Sequence, residues 1–195
     1  DDVREVKSRS GIGVKAITLE SGNEVIGASV LRHFKATPQE RDAFQAGGSV
    51  KVKQEDGSEE TVTLSKERMA EMAASEELLL TISALGFGKR SSAYEYRTTS
   101  RGAKGIAAAN INTVTGPLVG CFTVVNDDGL VMVTDGGQTI RVRVKDVRRT
   151  GRTARGVRMF RLPDGQKIVS VARISAEDLG DEEVTQIAAS DEAEE

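Results

Sequence analysis

Pairs of basic residues recur beside matching glycine-containing turns along the chain. The two clearest pairs are Arg101 with Lys104 and Arg152 with Arg155, and a glycine follows each pair directly. Glycine allows a positive φ and lets neighbouring backbone N–H groups approach an anion, while Lys and Arg neutralise phosphates. The spacing therefore predicts a surface that contacts phosphate groups.

Other basic residues extend these pairs into a band. Between 139 and 144, arginines alternate with Ile140, Val142 and Val144, so the cations face one side of a strand. Aromatic residues are few, which favours contact with the duplex backbone over base stacking. For any one β-strand, the alternative is that its alternating arginines form a solvated face. The residues predicted to contact duplex phosphates are Arg101, Lys104, Arg141, Arg143, Arg148, Arg149, Arg152 and Arg155, with lesser roles for Lys145, Arg158, Arg9 and Lys15.

The sequence offers no group of residues for catalysis or metal binding. His33 is the only histidine and Cys121 the only cysteine, so neither a Ser-His-Asp arrangement nor a multi-histidine site can be built. Residues 86–90 contain two glycines and a Lys-Arg pair but lack the spacing of a nucleotide-binding loop. Tyr94 and Tyr96 are interpreted as packing residues on a strand. We therefore expect no catalytic residue, no metal and no cofactor in this segment.

An internal repeat places the basic turns. Residues 97–106 align with 148–157 without a gap, at an offset of 51 residues, and the same offset aligns 79–83 with 130–134. A further copy near the start lies one period plus about 41 residues upstream, which an insertion within 33–78 explains, so it is the first copy and the turns at 97–106 and 148–157 belong to the second and third copies. A period near 50 with several short strands is typical of four-stranded blades.

The secondary structure is predicted from turn signals and alternation. Strands are expected at 118–125, 130–134, 139–144 and 156–162 of one copy, and after the turn of the first copy at 24–27.

The insertion has a different pattern. Thr37-Pro38-Gln39-Glu40 forms a capping box that begins a short helix ending at 47–48. A hairpin at 49–53 and 61–64 and a second helix at 66–74 should follow.

Charge is distributed unevenly along the chain. Residues 79–174 hold sixteen basic and six acidic residues, whereas residues 175–195 hold nine acidic residues and no Lys or Arg. A basic body beside an acidic tail indicates a surface for a polyanion and a tethered competitor for it. We expect residues 1–174 to form the domain, with the insertion at about 33–78, and residues 175–195 to be disordered.

Several of these motifs resemble the C-terminal domain of the A subunit of bacterial DNA gyrase. The similarity lies in residues 86–90 and 95–97, in the turns at 100–105 and 151–157, in Met132-Val133-Thr134-Asp135-Gly136-Gly137, and in the acidic end. The resemblance implies an all-β β-pinwheel, a six-bladed disc of propeller-like four-stranded blades, of which this chain holds a part. The chain begins at Asp1 without an initiator methionine, and we expect it to be an N-terminally truncated piece.

The resemblance also implies a function. In that family the basic rim wraps duplex DNA, which supports ATP-dependent introduction of negative supercoils. The implied partners are duplex DNA, the B subunit of DNA gyrase and the rest of the A subunit in an A2B2 heterotetramer. ATP and Mg²⁺ act through other domains, the setting is cytoplasmic and bacterial, and no membrane is involved.

This sequence departs from the family pattern at one motif. The Gln-Arg-Arg-Gly-Gly-Lys-Gly type box is absent, and the turns at 101–105 and 152–156 are degenerate versions of it. Two alternatives are open. One is the equivalent domain of topoisomerase IV, against which the acidic tail argues, and the other is a protein-interaction propeller whose basic surface is incidental.

Overall fold

Short antiparallel strands make up most of the ordered structure. The computed structural model describes residues 5–32, 34–54 and 57–178. Its helices are α1 (Pro38–Gln45) and α2 (Lys66–Ser75), and its short 3₁₀ helices span Ala93–Glu95, Val144–Asp146 and Ala176–Asp178. The strands are β1 (Ser49–Lys53), β2 (Glu59–Thr63), β3 (Leu78–Ser83), β4 (Phe87–Ser92), β5 (Leu118–Val124), β6 (Gly129–Thr134), β7 (Thr139–Arg143), β8 (Val157–Arg158) and β9 (Ile168–Ile174). The predicted all-β architecture is confirmed.

The internal repeat is visible in two sheets built on the same plan. One sheet has the order β5-β3-β4-β8 and the other has the order β7-β6-β9. In each sheet, the first strand of the central hairpin also pairs with a later strand, β3 with β5 and β6 with β9. The register of this pairing shifts at Ile82/Ser83 in one sheet and at Val133/Thr134 in the other. These shifts lie 51 residues apart, which matches the offset seen in the sequence.

The fourth strand of the first sheet comes from the next copy of the repeat. Gly88 and Phe87 of β4 pair with Val157 and Arg158 of β8. This exchange brings the basic turn of the third copy onto the hairpin of the second copy.

The core lies between the two sheets and is aliphatic. Ile82, Leu130, Met132 and Val142 are buried in one cluster together with Met159 and others. The predicted alternation on β7 is confirmed, because Ile140 and Val142 are buried whereas Arg143 is exposed. The packing of aliphatic side chains therefore joins the two repeats into one body.

Several strand predictions differ from the structure, and the strand expected at 118–125 ends at Val124. The strand expected at 156–162 is limited to β8, because its partner β4 begins at Phe87, directly after the turn that Gly86 ends at φ +83. The strand expected at 139–144 ends at Arg143, where a 3₁₀ helix begins. No strand forms at 24–27, since the described residues include no hairpin of the first copy with which it could pair.

The predicted elements of the insertion are present. Thr37 caps α1 through a complete capping box with Glu40, and β1 and β2 form the expected hairpin. The insertion packs against Tyr94, which lies in the 3₁₀ helix that follows β4. The Tyr94 ring meets Phe44 edge-on at 5.4 Å, and its hydroxyl donates to Met72 O at 2.9 Å. Tyr94 is thus a packing residue, as interpreted, although it lies in a 3₁₀ helix. His33 and residues 179–195, most of the acidic tail, lie outside the described residues.

Candidate nucleic-acid interface

The turn at 148–156 sits against the outer edge of β4. Arg90 N donates to Arg148 O at 3.0 Å and Thr150 N donates to Arg90 O at 2.9 Å. Gly156 has φ +88, and a Cβ there would lie 2.7 Å from Gly88 O. This position needs glycine for both reasons, and the close approach fixes the end of the turn on the strand.

Four of the predicted phosphate contacts lie on this turn, and Arg152 and Arg155 are the pair nearest its final glycine. Arg155 is exposed, and its guanidinium carbon is 5.3 Å from the centre of the Phe87 ring. Arg152 is half-buried and donates from Nη1 to Ala107 O. Stacking on a ring and bonding to a carbonyl each restrict a long side chain, so both cations are held near defined positions.

The matching turn of the second copy lies against the first copy. Gly102 N donates to Ala16 O at 2.9 Å, and Thr18 Oγ1 donates to Gly102 O at 2.6 Å. Arg101 and Lys104 are exposed, and Lys104 Nζ is 3.9 Å from a carboxylate oxygen of Glu20. A long ion pair between two exposed groups contributes little, so Lys104 remains available to a phosphate.

Two hydrogen bonds connect the third-copy turn to the segment that follows the second-copy turn. The Arg152 bond to Ala107 joins the third-copy turn to the segment that follows the second-copy turn, and Asn110 N also donates to Ala154 O at 3.4 Å. The structure therefore bonds one basic turn to the segment that follows the other, although the two turns lie 51 residues apart in the sequence.

The other four predicted residues have different surroundings. Arg143 and Arg148 are exposed, and Arg141 is half-buried on β7. Arg149 forms a two-point ion pair with Glu76 of the segment after α2, with N–O distances of 2.8 and 2.6 Å. The Arg149 guanidinium is therefore committed to a carboxylate.

The sequence interpretation missed three residues at this site. Lys89, Arg90 and Glu95 contact the turn at 148–156, yet none of them is among the residues predicted for this site. Arg90 bonds to Val147 O at 2.6 Å and to Asn126 Oδ1 at 2.6 Å, and burial lowers the pKa of its guanidinium. Comparison of the repeats could have identified Lys89, because the aligned residue 51 positions later is Ile140.

The described residues contain no cluster of His, Cys, Asp or Glu that could hold a metal ion. Cys121 is half-buried, and burial raises the pKa of its thiol, which leaves it protonated at neutral pH. Across the described ranges, no helix is long and apolar enough to cross a membrane.

The exchanged strands and repeated sheets define a β-propeller type of module with basic turns at its surface. The chain belongs to the DNA gyrase C-terminal domain family, whose model, described as a beta-propeller, matches residues 1–32, 77–121 and 130–175. The resemblance inferred from the sequence is thereby confirmed. The matched segments leave out residues 33–76, most of the insertion.

Curated relatives agree with the family. The DNA gyrase A subunit of Rickettsia bellii is 44% identical over 181 residues, and that of Granulibacter bethesdensis is 40% identical over 204 residues. The alignments cover 90% and 93% of this chain but 20% and 22% of the relatives. The chain therefore spans about a fifth of the length of these relatives.

Two solved structures are similar in fold. A DNA gyrase A C-terminal domain is 25% identical, with a TM-score of 0.48, over 59% of this chain and 38% of the solved chain. The C-terminal domain of a DNA topoisomerase IV is 19% identical, with a TM-score of 0.49, over 62% of this chain and 35% of the solved chain.

Proposed function

We propose that this chain binds duplex DNA through its basic turns and wraps it as the C-terminal part of a DNA gyrase A subunit. The main supporting observation is that the turn carrying Arg152 and Arg155 is bonded to the segment that follows the turn carrying Arg101 and Lys104, so both basic turns belong to one connected part of the fold. Membership of the gyrase C-terminal domain family supports the assignment to gyrase.

The chemistry of these side chains fits contact with the phosphate backbone. Lys and Arg release counterions when they neutralise phosphates, and this term carries no base specificity. Residues 79–174 have a net charge of +10, which also attracts a polyanion over distance. The candidate contacts are Arg101, Lys104, Arg141, Arg143, Arg148, Arg149, Arg152 and Arg155, of which Arg149 would contact phosphate only when its ion pair with Glu76 opens.

The remaining proposals follow from the parent protein. As part of a gyrase A subunit, the chain would act with the B subunit of gyrase and the rest of the A subunit in an A2B2 heterotetramer. It would support ATP-dependent negative supercoiling in the bacterial cytoplasm at the nucleoid, while ATP and Mg²⁺ bind other domains. The segment itself would contribute DNA binding and no catalytic group.

The test is the affinity of the chain for a random-sequence duplex at several salt concentrations. About six phosphate contacts should reduce the affinity roughly 10³-fold between 50 and 200 mM salt. A flat salt response would contradict the proposal and would favour a protein-interaction module, because a protein partner bound through apolar contacts has no such dependence.

The acidic tail should weaken DNA binding. The nine acidic residues at 175–195 carry the same charge sign as phosphate, so they compete for the same cations. Removal of residues 175–195 should therefore tighten binding, with the largest gain at low salt, where charge interactions are least screened. The measurement is the same titration on the shortened chain, and an unchanged affinity would argue against competition.

A further inference from the structure

Lys89 is a fully buried lysine whose amine reaches the turn of the next repeat. It lies on β4, and its Nζ donates to Gly151 O at 2.8 Å and to Arg152 O. A buried ammonium is unfavourable unless it is hydrogen-bonded, and here two backbone carbonyls accept from it. Burial lowers the pKa of this amine, which reflects the same loss of water.

Glu95 holds the same peptide segment from the other side. The amide of Arg152 donates to Glu95 Oε2 at 2.5 Å. The N–H and the C=O of Arg152 are thus bonded to two side chains of opposite charge. Charge-assisted hydrogen bonds of this kind are stronger than neutral ones, so the backbone of Arg152 is closely restrained.

The hydrogen bonds from Lys89 and to Glu95 hold the middle of the turn. Backbone hydrogen bonds hold its start at Arg90, and the close approach of Gly156 to Gly88 holds its end. Between those points the described backbone has one bond within the turn, from Ala154 N to Gly151 O at 3.1 Å. Lys89 and Glu95 therefore fix the part of the turn that carries Arg152.

The other hairpin lacks the pair, and no turn is seated on it among the described residues. At the offset of 51 residues, Lys89 corresponds to Ile140 and Glu95 to Asp146. Within the described residues, β7 pairs with β6 alone and forms the edge of its sheet. A lysine at this position thus occurs in the hairpin that receives a basic turn and is replaced by an aliphatic residue in the one that does not.

We propose that Lys89 and Glu95 are positioning residues that hold the turn at 148–156 so that Arg152 and Arg155 face a DNA backbone. The pair itself lies beneath the turn and does not contact phosphate. This role rests on the proposed DNA binding. It adds that binding depends on the position of the turn as well as on the number of positive charges.

The first test uses Lys89→Met, which keeps most of the aliphatic length and removes the donor. Lys51→Met, at an exposed lysine of the insertion, is the control for the loss of one positive charge. Loss of two positioned phosphate contacts should weaken duplex binding about tenfold and lower the salt slope by about two, whereas the control should change neither appreciably.

A double-substitution comparison separates positioning from general destabilisation. In the Lys89→Met background, Arg152→Ala with Arg155→Ala should cost little more affinity, because those cations are already misplaced. Arg101→Ala should keep its full effect in the same background. An unchanged salt slope, or an undiminished effect of the Arg152 and Arg155 substitutions, would overturn the proposal.

Hydrogen exchange in the absence of DNA supplies a readout independent of the proposed function. The Arg152 amide should exchange slowly in the unsubstituted chain and at least tenfold faster in Lys89→Met and in Glu95→Ala, with Lys51→Met unchanged. Glu95→Ala also serves if Lys89→Met does not fold. Slow exchange in the folded variants would overturn the positioning role, while a flat salt response of the unsubstituted chain would instead overturn DNA binding.

Discussion

The two hairpins β3–β4 and β6–β7 are copies of one unit, yet their surroundings differ. Every residue of β4 except Arg90 is buried, because β8 and the turn at 148–156 cover its outer edge. By contrast, β7 alternates between buried and accessible positions and is an edge strand among the described residues. The repeat therefore supplies the same backbone twice, and the contact with the following turn determines whether a hairpin becomes core or edge.

The largest expected effect comes from the glycines that end the two matching turns. Gly156→Ala adds left-handed strain and places a Cβ 2.7 Å from Gly88 O, so it should lower the free energy of unfolding by about 3 kcal/mol or more. Gly105→Ala, at the aligned position, meets only Ile17 Cδ1 at 3.5 Å and should cost about 1 kcal/mol. Denaturant unfolding of both variants measures the difference, and equal losses would contradict the asymmetry between the turns.

The second prediction compares the basic pairs on the same two turns. Arg152→Ala with Arg155→Ala should weaken duplex binding about tenfold, and Arg101→Ala with Lys104→Ala should weaken it by a smaller factor. The reason is that Phe87 and Ala107 restrain the first pair, whereas Lys104 has only a long ion pair. Affinity at several salt concentrations should show the slope falling by about one per lost contact. A larger loss from the Arg101 and Lys104 pair would reverse the ranking.

The sequence predicted the repeated sheets because local signals specify them. Alternation on β7 and the turn sequences around β6 are set by residues close together in the chain, as is the capping box at Thr37. The alignment of the repeat at an offset of 51 residues also identified which turns are equivalent.

The exchange of β8 and the burial of Lys89 could not be read in the same way. A two-residue strand is too short to show an alternation of apolar and polar residues, and its partner lies about 70 residues away. The sequence did not single out Lys89, because charge alone predicts exposure and its two carbonyl partners exist only after the turn is seated. Likewise, Arg149 was grouped with the phosphate contacts, since no local signal pairs it with Glu76.

The third prediction concerns that ion pair, which links the insertion to the seated turn and has no counterpart at the other hairpin. Glu76→Gln should release Arg149 and tighten duplex binding about threefold, with the salt slope rising by about one. Arg149→Ala should change the affinity little while Glu76 is present. A strong loss on Arg149→Ala would instead show that DNA displaces the carboxylate, and the matched control is Glu71→Gln, whose partner is Arg68.

The smallest expected effect is acid sensitivity of the insertion, which precedes the first hairpin and not the second. The hydrogen bond from Arg68, followed by the backbone bond from Thr37, lowers the pKa of Glu40 below its ordinary value of 4.5. A lowered pKa means that the stabilisation is present above pH 4.5 and is lost as the pH falls through the folded-state pKa. Because the pair is partly exposed, the loss should stay below about 1 kcal/mol.

Glu40→Gln isolates this contribution, because glutamine retains the capping box while removing the charge. Hydrogen exchange in α1 and α2 should rise between pH 5 and 3 in the unsubstituted chain, and the rise should be smaller in the variant, after correction for intrinsic rates. Exchange in β6 and β7 serves as the internal control, since neither strand contains a carboxylate. A parallel rise in both regions would mean that acid loosens the whole body, and the insertion would then share the stability of the blades rather than respond on its own.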